Sequence, residues 1–328
     1  MEAAAYVLTR SILTRLHSAG EPHAVLVLPG GMGGDGSTAH LRWGVSGQGY
    51  SVHGWNQGRN LGLDQTQLAG LRGRVDDLYA LHDTPITVLG WSLGGIYARM
   101  LARERPERIR QVITLGSPFR MLAHDQFAHI PFGRQNWERF VARHCAELDL
   151  LTVQEHERPP LTVPATAVYS RNDGFAPWHL SIDETGPNAG NPCAENVEVR
   201  SSHIGLASNP AVLAVILDRL AQPLGQWRPF KPILAMRPLY PPPATWIHPD
   251  KRQTRKTNNG DCSRPVAADL RRRPTGRNSR RPDIRALWPQ LDTSHRQARR
   301  RMTTLVGSLD VGRARLTRLF FGRSRGCV

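Results

Sequence analysis

Over its first two thirds the 328-residue chain alternates between two hydrophobic periods. Six short runs of apolar and β-branched residues, Ala24 to Leu28, Tyr50 to Trp55, Ile86 to Leu89, Val112 to Pro118, Thr162 to Ser170 and Asn196 to Ser201, predict strands. Between several of them apolar residues recur every three or four positions. Leu68, Leu71, Val75 and Leu78 mark the inward face of a helix predicted from Asp64 to Leu81, and further helices are predicted after Ser92 and over Pro210 to Leu220. A first helix over residues 3 to 16 places Tyr6, Val7, Ile12, Leu13 and Leu16 roughly on one side, expected to pack on its own domain. Strand and helix in alternation predict an α/β fold with a doubly wound, mostly parallel sheet.

Two stretches break this rhythm. Residues 119 to 160 are rich in apolar residues without a clear strand, and are expected to form a helical cap insertion over a pocket. From Ala244 the chain fills with Arg, Pro, Asn and Thr, a composition that predicts disorder. The expected organisation is therefore a domain over residues 1–243 and an Arg/Pro-rich tail over 244–328. Charge divides near the same place. Residues 223–328 hold 24 Lys and Arg against 6 Asp and no Glu, an excess of 18, whereas the whole chain is +16, which leaves the remainder at −2. Between Trp246 and Trp288 no aromatic residue interleaves with the arginines, so no specific nucleic-acid partner is expected.

The four cysteines, Cys145, Cys193, Cys262 and Cys327, have no C-x-x-C or metal-ligand spacing. A disulfide framework is not expected, and a reducing compartment fits better. Met1 to Leu16 lacks the apolar core of a secretory signal, and no apolar run reaches 18 residues. The expectation is a cytoplasmic protein whose membrane contact is at most peripheral.

The chemistry is carried by Gly90-Trp91-Ser92-Leu93-Gly94, a G-x-S-x-G at the join of a strand and a helix. A serine on so sharp a turn points its hydroxyl out of the sheet, and the following helix aims its positive end at the same place. Serine needs an imidazole to take its proton, and the imidazole needs a carboxylate to orient it. Asp173 and His203 follow in that order, each after a strand-like run. His53 and His179 are the other bases weighed and Asp183 and Glu184 the other acids. His53 precedes the serine, His179 lies too close after Asp173, and no strand runs into the alternative acids. The loop Pro29-Gly30-Gly31-Met32-Gly33-Gly34 lacks the spacing of a P-loop or a dinucleotide loop, but its place after the first strand suits an oxyanion-hole donor.

Leu28-Pro-Gly, Gly54-Trp-Asn-Gln-Gly-Arg-Asn-Leu-Gly, Leu89-Gly-Trp-Ser-Leu-Gly-Gly-Ile-Tyr-Ala-Arg, Val112-Ile-Thr-Leu-Gly-Ser-Pro, Tyr169-Ser-Arg-Asn-Asp-Gly and Ser202-His-Ile-Gly-Leu resemble the α/β-hydrolase superfamily, in particular compact bacterial lipase-like esterases. The resemblance implies Ser92 as nucleophile, His203 as general base, Asp173 as its orienter, and the backbone N–H groups of Leu93 and Gly31 as the oxyanion hole. It implies a small acyl ester or lipid as substrate, with no metal and no organic cofactor. Many relatives have His-Gly where this chain has Pro29-Gly30, and a large residue in place of Gly31. The same groups serve thioester or amide cleavage and acyl transfer, and a catalytically silent binding protein keeps the same shell; these alternatives stay open at the level of sequence.

Overall fold

The computed structural model describes residues 2–120, 153, 155–185 and 189–246, all within one compact unit, Met1–Arg271. The apolar runs form strands β1 (Ala24–Leu28), β2 (Ser51–Gly54), β3 (Ile86–Trp91), β4 (Ile109–Leu115), β5 (Ala165–Tyr169) and β6 (Ala194–Glu198). They pair in the order β2-β1-β3-β4-β5-β6, every pair parallel, with Leu26 beside Val88, Val88 beside Val112 and Ile113 beside Thr166. In a sheet buried on both faces successive side chains feed two different cores, so its strands read as unbroken apolar runs. Ala24, Leu26, Leu28, Ile86 and Val88 pack with Leu68, Leu71 and Val75 of α3 (Gln65–His82) and Ile96 and Leu101 of α4 (Leu93–Glu104). Val25, Val27, Leu89 and Ile113 face Leu41 and Val45 of α2 (Ala39–Val45) and Val212 and Ile216 of α5 (Pro210–Leu220).

Local chemistry fixes the helix ends. Asp64 caps α3 by accepting the Gln67 amide at 2.7 Å while the Gln67 side chain accepts the Asp64 amide at 3.3 Å, so two orphan donors are satisfied reciprocally. Pro210 opens α5, where its missing N–H costs nothing, and the Asn209 side chain accepts the Ala211 amide at 2.8 Å.

Three expectations need correction. The first helix, α1 (Glu2–Leu16), lies on α5, and it buries only Tyr6 and Leu13 against Leu213, Ala214 and Leu217. Val7, Ile12 and Leu16 are more than half exposed, because α1 makes its contacts through Tyr6 and Leu13 on α5 and through Tyr6 and Arg10 on the His40 and Trp43 carbonyls of α2. Helix α2 carries too few apolar residues in its seven positions to show a period, and the sequence reading passed over it. Cys193 is disulfide-bonded, its partner lying outside the described residues, against the expectation of unpaired cysteines. Spacing along the chain does not report which thiols the fold brings together. The predicted cap and tail fall mostly outside the described residues. Arg120 donates its amide to the Leu180 carbonyl at 3.0 Å, and the chain after Pro243 stays attached through Ala244, whose amide meets Tyr169 Oη at 2.5 Å, and Trp246, hydrogen-bonded both ways to Thr185.

Candidate active site

Parallel strands bring the loops after their carboxyl ends to one edge of the sheet. Ser92 stands between β3 and α4 with φ 52° and ψ −121°, a left-handed backbone that a non-glycine residue adopts only when its surroundings hold it there. The Ser92 amide donates to the Leu115 carbonyl at 2.9 Å, and the Ser92 carbonyl accepts the Gly95 amide at 3.0 Å. Both flanking glycines are sterically required. A Cβ on Gly90 would lie 2.4 Å from the Gly94 oxygen, and one on Gly94 would lie 2.5 Å from the Leu28 oxygen. The elbow is thus pressed against the end of β1, and Gly30 abuts Ser92: a Cβ there would sit 3.2 Å from Ser92 Cβ.

Ser92, Asp173 and His203 come together in space. His203 Nε2 is 2.9 Å from Ser92 Oγ, and His203 Nδ1 is 2.6 Å from Asp173 Oδ2. An ionised carboxylate only accepts, so Nδ1 carries the proton and Nε2 is left to accept the serine hydroxyl hydrogen. The Asp173 side chain is almost fully buried, and its other oxygen accepts the Phe175 and Ala176 amides, each at 2.8 Å. The imidazole lies against the Phe175 ring, centroids 4.8 Å apart, while Trp91 Nε1 donates to the His203 carbonyl at 3.1 Å.

Amides suited to an oxyanion lie beside the serine. Leu93 is the first residue of α4, and a Cβ on Gly31 would touch Leu93 Cδ2 at 3.6 Å. The two amides that follow Gly31 are spent, Met32 on the Asn60 carbonyl and Gly33 on the Gly30 carbonyl. Those of Leu93 and Gly31 have no backbone acceptor outside regular structure among the described residues.

The alternative bases and acids stand elsewhere. His53 sits in β2 with its Nε2 2.8 Å from Ser51 Oγ, and burial followed by nearby Arg74 holds its pKa below the ordinary value. His179 belongs to a short 3₁₀ turn whose ring is T-shaped against Trp178. Asp183 accepts two hydrogen bonds from Arg99 of α4, at 2.9 and 2.6 Å, and Glu155 accepts from Arg99 at 2.8 Å and from Arg103. Burial pushes the Glu155 carboxyl up, but the two arginines outweigh it and hold it low. Two cavities of about 150 and 190 Å³ border Arg99, Phe119 and Glu155, and neither is lined by Ser92, Asp173 or His203.

Sequence reasoning missed one residue at this edge. The buried Ser170 hydroxyl donates to the Ser201 carbonyl at 2.7 Å and accepts the amides of Ser201 and Asn172, each at 3.1 Å. It therefore ties the loop carrying Asp173 to the loop carrying His203. A serine closing a strand is too common to announce this role, and no sequence signal would have found it.

Residues 46–151 match the family described as alpha/beta hydrolase fold. The parallel sheet flanked by helices has that same α/β-hydrolase fold. Among solved structures it is similar to one of the metagenome-derived lipolytic enzymes LipS and LipT, at 20% identity over 62% of this chain and 93% of that one, TM-score 0.46. It is also similar to Aspergillus fumigatus lipase B, at 16% identity over 62% of this chain and 53% of the other, TM-score 0.47. A third is the Paleococcus ferrophilus monoacylglycerol lipase, at 12% identity over 62% and 96%, TM-score 0.46. No curated protein matches the chain. No described helix is long and apolar enough to cross a membrane.

Proposed function

We propose that this protein hydrolyses carboxylic esters through an acyl-enzyme, with small acyl esters or lipids as substrates. The observation that carries the reading is the pair of contacts through His203: 2.9 Å to the Ser92 hydroxyl on one ring nitrogen and 2.6 Å to the Asp173 carboxylate on the other. In the proposed reaction Ser92 Oγ attacks the ester carbonyl carbon while His203 Nε2 takes its proton. The amides of Leu93 and Gly31 hold the oxygen that becomes negative, and Asp173 stabilises the imidazolium. His203 then returns the proton to the departing alcohol. Water, deprotonated by the same nitrogen, cleaves the acyl-enzyme and regenerates the serine.

A fluorophosphonate probe should label the wild-type protein at Ser92 and leave Ser92→Ala unlabelled. Hydrolysis of p-nitrophenyl butyrate should fall by about 10⁴-fold or more in that variant, since nucleophile and base act as a unit. Near-normal turnover by Ser92→Ala would remove the proposal.

A further inference from the structure

We propose that Met32, Phe175 and Ile204 form an apolar collar around the candidate nucleophile, and that it takes the hydrocarbon chain of a neutral, medium-chain ester. This rests on the ester-hydrolase reading above. The three side chains are 57%, 49% and 76% exposed. Single exposed apolar residues are ordinary on a protein surface, whereas several gathered on one rim mark a binding region. Each of these lies on a different loop beside a candidate reacting group: Met32 follows Gly31, Phe175 is two residues past Asp173, and Ile204 follows His203. The loops converge, since His203 Nε2 is 2.9 Å from Ser92 Oγ, the Phe175 ring lies 4.8 Å from the imidazole, and Gly30 abuts Ser92.

Met32 carries the argument furthest. It is one of the few described non-glycine residues with positive φ, at 64°, a strained conformation that Gly or Asn would adopt more easily. That backbone is clamped from below. The Met32 amide donates to the Asn60 carbonyl at 2.7 Å, the Asn60 amide donates to the Gly33 carbonyl at 2.6 Å, and the buried Asn60 side chain donates to the Pro29 carbonyl at 2.8 Å. The turn therefore needs nothing from a methionine side chain, which is strained at its root and turned to water at its tip. A role for it exists if something apolar covers it, and an unbranched thioether adapts to chains of differing shape. The charged groups nearest this loop are engaged with backbone: Arg59 Nε donates to the Met32 carbonyl at 3.3 Å, and Asp35 accepts the amides of Trp55 and Asn56. A neutral hydrocarbon is thus the occupant that this rim suits.

The test uses the full-length protein with p-nitrophenyl acetate, butyrate and octanoate. A fully buried methylene is worth about 4-fold in affinity, and a surface open on one side recovers about half of that logarithm. Over the four extra methylenes of octanoate, kcat/KM should rise about 15-fold above butyrate. Met32→Asn combined with Ile204→Gln should reduce that ratio to about 2-fold. Ile204→Gln alone, at an exposed position, should give an intermediate ratio. Binding of butan-1-ol and octan-1-ol to Ser92→Ala protein, followed by tryptophan fluorescence, reads the collar without turnover and should show a preference for octanol that the two collar substitutions abolish. A flat series in both assays overturns the collar even where ester hydrolysis is intact. A steep alkanol series without any hydrolysis overturns the ester-hydrolase reading and leaves the collar standing.

Discussion

His23 precedes β1 at the edge of the sheet opposite the candidate active site, and it gives the most quantitative forecast of the structure. Its ring is 1% exposed. Nδ1 lies 2.7 Å from the Glu21 carbonyl and Nε2 lies 2.9 Å from Thr87 Oγ1. A carbonyl only accepts, so Nδ1 bears the proton and Nε2 accepts from the Thr87 hydroxyl, which in turn accepts from Gln111 Nε2 at 3.2 Å. A second proton has no place in this chain. Burial, with the Arg110 guanidinium nearby, depresses the His23 pKa from 6.5 to about 4. The unfolded chain therefore binds a proton that the folded chain refuses, and folding stability falls as pH drops below the unfolded value. A depression of that size corresponds to a loss, relative to neutral pH, of about 1 kcal/mol at pH 5.5 and about 2 kcal/mol at pH 4.5, levelling off near 3 kcal/mol below the folded value. The measurement is urea unfolding of wild type and His23→Gln at pH 7, 5.5 and 4.5. Other titrating groups shift alike in both proteins and cancel, so the gap between the two stability curves should close by about 2 kcal/mol between pH 7 and pH 4.5. Parallel curves would refute the reasoning.

Other outcomes follow from the same kind of accounting. Ser170→Ala removes the hydroxyl that ties the Asp173 and His203 loops, and should cost about 2 kcal/mol in urea unfolding and about 10-fold in kcat/KM toward p-nitrophenyl butyrate. Arg99→Met leaves the Asp183 and Glu155 carboxylates without their shared buried cation; a loss of about 3–5 kcal/mol is expected, and Asp183→Leu in the same chain should recover part of it. A chain ending at Trp246 keeps the contacts of Ala244 and Trp246 with Tyr169 and Thr185, so its turnover of p-nitrophenyl butyrate should stay within about 2-fold of the full-length protein.

Much of this was legible because the signals are local. A strand buried on both faces has to be apolar throughout, which is why β1 and β3 stand out in the sequence. Gly90 and Gly94 are visible because no other residue fits where the Gly94 and Leu28 carbonyls crowd them. That Asp173 and His203 lie near Ser92 could be anticipated because each directly follows a strand, and parallel strands bring such positions to a shared edge. The relations hidden from the sequence are those decided by contact. Arg99 reads as an ordinary helix arginine until Asp183 and Glu155 arrive from distant loops, and Asp183, weighed as a catalytic acid, is the partner of that arginine. Val7, Ile12 and Leu16 follow a helical period but stay exposed, because α1 meets α5 and α2 through Tyr6, Arg10 and Leu13 instead. The pairing of Cys193 depends on proximity in the same way.

Since all six strands run in one direction, the molecule has a working pole and an anchoring pole. Ser92, Asp173 and His203 crown the strand exits, while His23, Thr87 and Gln111 knit the strand entrances. Side chains exposed at the first pole can therefore be varied with little penalty at the second, and a library confined to Met32, Phe175 and Ile204 leaves the buried residues at both poles in place.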